Sequence, residues 1–109
     1  IKGRDAQRKS DLGQIQKALE MYKGDQPAPA YPGALPTCGV AWTVGANTYM
    51  SKFPCDPLDG TTPYHYTIPR VVGDTLTYSL HACLENKSDP DGTAEAACSS
   101  GKKYEITEP

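Results

Sequence analysis

Several features that would assign a function directly are missing from this sequence. Its 109 residues contain no apolar run near the ~18 residues that a bilayer crossing needs. With 11 basic and 13 acidic side chains the net charge is −2, so the chain lacks the basic excess of a dedicated nucleic-acid binder. Serine-nucleophile, phosphate-loop and metalloprotease motifs are also absent. These absences favour a single small domain that is not an enzyme.

Histidine and large aromatic residues are scarce too, with two His, one Trp and one Phe. His65 and His81 both fall in predicted strands, and no carboxylate or cysteine stands at ligand spacing from them. Partly exposed sheet residues are therefore a better interpretation than a metal pair. Trp42 and three tyrosines are either core or a surface for DNA, sugar or protein, and core is favoured in a domain with one Phe. The three tyrosines are Tyr31, Tyr49 and Tyr64.

Four cysteines are present, Cys38, Cys55, Cys83 and Cys98. None of them forms the closely spaced pair that zinc knuckles need. An even number in a small chain with 10 Gly and 10 Pro instead indicates two disulfides in an oxidising compartment. Three pairings are open. We favour Cys38–Cys55 with Cys83–Cys98, because each bond would tie down a stretch with little regular structure.

One amphipathic helix is predicted over residues 4–23. Its apolar stripe follows spacings of three and four residues, and consists of Leu12, Ile15, Leu19 and Tyr22, with Ala18 beside it. Gly24 suits the position after the helix, and Pro27 and Pro29 prevent its continuation. The pattern has no cap at its start, and the opening residues are not a signal peptide although the cysteines indicate export. We therefore expect that a segment before residue 1 has been removed.

The remaining chain divides into an irregular part and a β part. Residues 25–63 are rich in proline and predict turns, with a short helix at Ala46–Met50. Period-two alternation then predicts three short strands, at residues 64–68, 76–84 and 103–107. A Gly73–Asp74 turn joins the first two strands, and residues 85–101 form an acidic loop.

These elements predict an α+β fold in which the helix packs on a small antiparallel β-sheet. Residues 1–24 form the helix and residues 25–109 the head. The head comprises the loop region 25–63 and the sheet with its C-terminal loop, 64–109.

The acidic loop contains a partial calcium motif. Asp89 and Asp91 stand one residue apart before Gly92, as in calcium loops, but no Glu follows at the closing position. Additional oxygens are available from Glu85, Asn86 or Glu95. A solvated acidic turn is the favoured interpretation, with calcium as the alternative cofactor.

Segments along the whole chain resemble the bacterial type IV pilin-like family, most of all short pilins and the major pseudopilin of type II secretion. The resemblance rests on GRDAQRKSDLGQIQKALEMY, Tyr31–Pro32, TYMSKFPCDP, TPYHYTI, TYSLHACLEN and a terminal KKYEIT. It implies that residues 1–24 are the C-terminal half of a spine helix packed on an antiparallel head. It also implies a leader peptide and an apolar helix of about 20 residues, enough to span a bilayer, before residue 1.

The resemblance further implies what the protein does. It would be a structural subunit of an extracellular or periplasmic filament, anchored in the inner membrane before assembly by the missing helix. Its partners would be other pilin subunits and an inner-membrane assembly platform. Cys83–Cys98 would enclose the variable C-terminal loop, the region where many major pseudopilins bind calcium and where Asp89 and Asp91 fall.

Two alternatives remain open. A minor pilin would bind DNA or a surface ligand, and a secreted adhesin or carbohydrate-binding module would use Trp42 and the tyrosines.

The charge distribution suggests how copies of the chain would meet. Residues 1–26 carry six basic and four acidic side chains, whereas the rest carries five basic and nine acidic ones. A basic helix on one copy can contact an acidic head on the next, and such heterologous contacts generate open filaments. The hypothesis places Arg8, Lys9 and Lys17 against acidic side chains of a neighbour, namely Asp56, Asp59, Asp89 or Asp91.

Overall fold

The computed structural model describes residues 2–58 and 60–109 and has an α+β fold. One helix is followed by six short strands: α1 Lys2–Asp25, β1 Trp42–Val44, β2 Asn47–Met50, β3 His65–Thr67, β4 Ser79–Cys83, β5 Thr93–Ala94 and β6 Lys102–Thr107. The predicted class is therefore confirmed.

Helix α1 is close to the one predicted from the apolar spacing, with two more residues at each end. Leu12, Ile15 and Leu19 are fully buried, Ala18 is 2% exposed, and Tyr22 is partly buried against the same core. The three-and-four spacing brings these side chains to one side of the helix. That side is the one that packs on the head.

The main sheet is antiparallel and has the order β3-β4-β6-β5. Leu80 and Ala82 of the central strand β4 are buried in the core with the helix stripe, so β4 covers α1 as the sequence predicts. Strands β3, β4 and β6 match the three predicted strands. The two-residue β5 has too little alternation to be recognised from sequence.

Residues 42–50 form a separate β-hairpin where a short helix at Ala46–Met50 was predicted, and that prediction was wrong. Val44 pairs with Asn47, which leaves a loop of two residues. Gly45, the first of them, has φ +60°, as a type II′ hairpin turn requires. The hairpin buries Trp42 and Tyr49 against Tyr22 of the helix, and this packing outweighs the weak local helix propensity.

Trp42 and the tyrosines belong to the core. Trp42, Tyr31, Tyr49 and Tyr64 are between 5% and 9% exposed, and Trp42 also meets Phe53 edge-on at 5.9 Å between ring centroids. These four side chains therefore do not form a binding surface, and the core interpretation is confirmed.

Both disulfides follow the sequence-local pairing. Cys38 bonds Cys55 across 17 residues, and Cys83 bonds Cys98 across 15. The first closes the proline-rich region and the second closes the acidic loop onto the end of β4. Each bond thus closes one of the two long irregular stretches of the head.

Candidate assembly surface

Arg8 lies at the centre of a buried ion-pair cluster. Its side chain is 2% exposed, and its Nη1 lies 2.6 Å from Asp5 Oδ1 and 2.8 Å from Glu85 Oε2. Its Nη2 lies 2.8 Å from Asp56 Oδ1. With Arg4, which also binds Glu85, these residues form the Arg8 cluster. The cluster joins α1 to the segment after Cys55 and to the end of β4.

Two carboxylates of the cluster, those of Asp5 and Glu85, also accept further hydrogen bonds. Asp5 accepts hydrogen bonds from the backbone N–H groups of Glu85 and Asn86, at 3.0 Å each. Arg4 donates two hydrogen bonds to Glu85, at 2.6 and 2.7 Å. These Arg4 bonds, together with that from Arg8, lower the pKa of Glu85 to about 2. Glu85 is therefore ionised at any physiological pH.

Lys9 makes a second bridge between helix and head. Its Nζ lies 2.8 Å from a carboxylate oxygen of Asp89 and 2.8 Å from one of Asp91. Asp89 also accepts the backbone N–H of Asp91 at 2.9 Å. The hydrogen bond from Lys9 is the main cause of a lowered Asp89 pKa. The acidic loop is thus fastened to α1 at Asp89 and Asp91, the two residues of the partial calcium motif.

Calcium binding at Asp89 and Asp91, the alternative to a solvated acidic turn, stays untested. The ammonium of Lys9 contacts both carboxylates, so a cation between them would have to displace it. Of the additional oxygens considered, Glu85 is held by arginines and Glu95 lies 3.2 Å from Lys103 Nζ.

The expected intermolecular partners of two helix residues are intramolecular instead. Arg8 was placed against an acidic residue of a neighbouring copy, but its buried guanidinium contacts Asp56 of its own chain. Lys9 likewise contacts Asp89 and Asp91 of its own head. The charge asymmetry between helix and head therefore holds this chain together. Lys17 is exposed, and Asp59 lies outside the described residues.

The opposite side of α1 is exposed and nearly uncharged. We call it the outer face, and it consists of Ala6, Gln7, Ser10, Gln14, Lys17 and Met21. From residue 3 to residue 16 it holds small or amide side chains only. The charged residues of the same turns, Arg4, Asp5, Arg8, Lys9 and Asp11, all contact the head or its ion pairs. The charged residues of a surface helix usually lie on its solvent-facing side. In this part of α1 the charged residues face the head and the uncharged residues face solvent.

A cavity of about 530 Å³ lies on the head, between the segment after Cys55, the end of β4 and the second disulfide loop. Its lining combines apolar and charged groups, among them Asp56, Tyr64, His65, Leu84 and Lys87. It adjoins the Arg8 cluster.

Sequence reasoning missed Arg4, Asp5 and Glu85. The three-residue spacing of Asp5 and Arg8 is a local signal for a helix ion pair. By contrast, Glu85 lies 77 residues from Arg8 along the chain, and no local pattern relates them.

Comparison of the chain with protein-family models, with curated proteins and with solved structures gives no match. The type IV pilin-like family therefore stays a resemblance. No helix within residues 2–58 and 60–109 combines the length and apolar character needed to cross a membrane.

Proposed function

We propose that this chain is a structural subunit of an extracellular or periplasmic type IV pilus-like filament. Its partners are further copies, which pack around the outer face of α1. An apolar helix before residue 1 anchors the subunit in the inner membrane, where an assembly platform extracts it. The coarse α+β fold and the sequence resemblance are compatible with this role.

The observation that carries the proposal is the reversed charge distribution of α1. Burying a charged side chain at a helix–helix contact costs several kcal/mol unless it is paired. The outer face carries no charge between residues 3 and 16, so a neighbouring helix can cover it without that cost. The Arg8 cluster and the Lys9 bridge direct the charges of those turns inward and leave this face free for packing.

A contact between this face and a different surface of the next copy would be heterologous. Heterologous contacts that do not close into a ring propagate into open helical arrays. The head is cross-linked internally by two disulfides and joined to α1 by the Arg8 cluster and the Lys9 bridge, so it would move as one body with its helix. A rigid subunit loses little conformational freedom when it joins an array.

The alternatives have less support. An adhesin that uses Trp42 and the tyrosines would need those rings at the surface, and they are buried. DNA binding would need free cations, whereas Arg4, Arg8 and Lys9 are each paired with carboxylates of the same chain.

The test compares two substitutions to glutamate in the full-length gene, expressed in its native host. Ser10→Glu places a charge on the outer face, and Thr75→Glu places the same charge at an exposed position of the head. We expect Ser10→Glu to abolish filaments in sheared and periplasmic fractions, scored by immunoblot and immunogold microscopy. Thr75→Glu should leave them unchanged.

Both purified variants should keep the circular dichroism spectrum and melting temperature of the wild type, since both positions are exposed. Normal filaments in the Ser10→Glu strain would refute packing through the outer face. If an antibody against the chain labels no filament in the wild-type strain, the filament proposal itself is wrong.

A further inference from the structure

Two imidazoles face each other across the edge of the main sheet. His65 of β3 pairs directly with His81 of β4, and their rings stack with centroids 4.5 Å apart and an interplanar angle of 14°. On the other side of β4, His81 pairs with Glu105 of β6. Directly paired residues of antiparallel strands share a face of the sheet. The sheet therefore presents two imidazoles and a carboxylate in one row.

This row lies on the face turned away from α1. Leu80 and Ala82, the neighbours of His81 along β4, are buried in the core, and side chains alternate between faces along a strand. His65 is exposed and His81 half-buried. His65 also lines the cavity of about 530 Å³. Solvent and small ions therefore reach the pair.

The pair lies beside one lysine and two carboxylates. Lys103 Nζ lies 3.2 Å from a carboxylate oxygen of Glu105 and 3.2 Å from one of Glu95, so one positive charge stands beside two negative ones. Burial, then the charges of His65 and Lys103, lower the pKa of His81 below its ordinary value. The neutral form of an imidazole is the form that binds metals.

We propose that His65 and His81 form a site for a divalent transition-metal ion of the Zn²⁺, Ni²⁺ or Cu²⁺ type. Each histidine would supply one ring nitrogen, the ligand these ions prefer among uncharged side chains, and water would complete the coordination shell. Imidazole lone pairs lie in the plane of the ring, so the two stacked rings would turn out of their parallel arrangement to direct one nitrogen each at a shared ion. In the part of the chain that the structure describes, no three His, Cys, Asp or Glu side chains already form a metal site, so the pair acts as a two-residue site.

Binding there would fasten the edge of the sheet. Strand β3 has three residues and, among the residues that the structure describes, pairs only with β4. An ion held by one residue from each strand would cross-link them in the folded state. A ligand that binds the folded but not the unfolded chain raises stability with its concentration.

The test uses the untagged chain titrated with Ni²⁺ and Zn²⁺ by calorimetry, and with Cu²⁺ by pulsed electron paramagnetic resonance. We expect one saturable site, with two imidazole nitrogens coupled to Cu²⁺. His65→Gln should weaken Ni²⁺ binding at least about tenfold and leave one coupled imidazole. Because His65 is exposed, this variant should keep the wild-type circular dichroism spectrum.

Two controls separate this site from other sources of metal binding. Asp91→Asn removes a carboxylate from the acidic loop and should leave Ni²⁺ affinity unchanged. Lowering the pH from about 7.5 to about 5.5 should weaken binding, because protons compete with metal ions for imidazole nitrogens. The proposal is overturned if wild type shows no saturable Ni²⁺ binding at neutral pH, or if folded His65→Gln binds as tightly as wild type. Neither result bears on filament assembly.

Discussion

Arg8 shows how strongly one residue can depend on distant parts of the chain. It is among the largest fully buried side chains of the core, and it satisfies carboxylates from three separate segments. A buried guanidinium is stabilised when it donates well-aligned hydrogen bonds to several carboxylates. Removing it leaves those carboxylates desolvated without a counter-charge.

We expect Arg8→Gln to lower the free energy of unfolding by about 3–5 kcal/mol, the usual cost of breaking a buried pair from one side. Urea denaturation followed by circular dichroism measures the change. Lys17→Gln, an exposed change on the same helix, should stay within about 0.5 kcal/mol of wild type. A stable Arg8→Gln protein would show that the cluster contributes little to folding.

Lys9 decides whether the acidic loop is free to take calcium. Because its ammonium contacts both Asp89 and Asp91, calcium must compete with it. If the site binds calcium, millimolar calcium should raise the melting temperature of Lys9→Gln more than that of wild type. A thermal-shift series with magnesium as the control ion measures this. Absence of a shift in both proteins would dismiss the calcium site.

Among the elements, the β1–β2 hairpin has a turn whose conformation depends on a glycine, Gly45. The left-handed φ of Gly45 is costly for a residue with a Cβ, although no atom lies within 4 Å of where that Cβ would be. The cost is therefore one of backbone conformation alone.

Gly45→Ala should lower the free energy of unfolding by about 1–2 kcal/mol. Gly45→Asn should cost less, because asparagine tolerates positive φ better. Chemical denaturation of the two variants measures the difference. Equal stability of Gly45→Ala and wild type would mean that the turn adopts another conformation.

The second disulfide holds the acidic loop against the sheet. In the chain-entropy description, a closed loop of about 15 residues contributes about 3 kcal/mol. We expect Cys83→Ala combined with Cys98→Ala to lose roughly that amount. Hydrogen exchange should accelerate more across residues 85–101 than in α1, where only the global loss of stability acts.

The matched control removes the other bond, with Cys38→Ala and Cys55→Ala. A similar loss of stability is expected, but with faster exchange in the region around residues 38–55. If both double variants loosen the same segment, the two disulfides do not act on separate loops.

For the whole molecule, the carboxylates that bridge helix and head make the free energy of unfolding depend on pH. The hydrogen bonds from Arg4 and Arg8 hold the pKa of Glu85 at about 2 in the folded state, against an ordinary value of 4.5. A carboxyl with a depressed folded-state pKa stabilises above its unfolded pKa and loses that contribution as the pH falls toward the folded value. The lowered pKa of Asp89, caused mainly by Lys9, acts in the same direction.

The free energy of unfolding should therefore fall between about pH 4.5 and about pH 2. Glu85→Gln should reduce this slope, whereas Lys17→Gln should keep it. Denaturation curves at a series of pH values measure the slopes. An identical slope in Glu85→Gln and wild type would contradict the role given to Glu85.

The sequence predicts the elements of this molecule better than their contacts. Leu12, Ile15 and Leu19 indicate the helix because their spacing is local, and the alternation around Leu80 indicates β4 for the same reason. The hairpin was missed because its turn depends on one glycine and its burial depends on Tyr22, outside the segment. The location of Arg8 was missed because a polar residue on a helix is normally exposed, and only contacts with Asp56 and Glu85, far along the chain, bury it.

The position of β6 in the main sheet affects when the head can form. Strand β6, Lys102–Thr107, lies between β4 and β5, so the central strand β4 lacks one of its two neighbours until residues 102–107 have left the ribosome. Pairings between distant segments form late because the loop between them must close first. The complete main sheet therefore forms only after residues 102–107 have been synthesised.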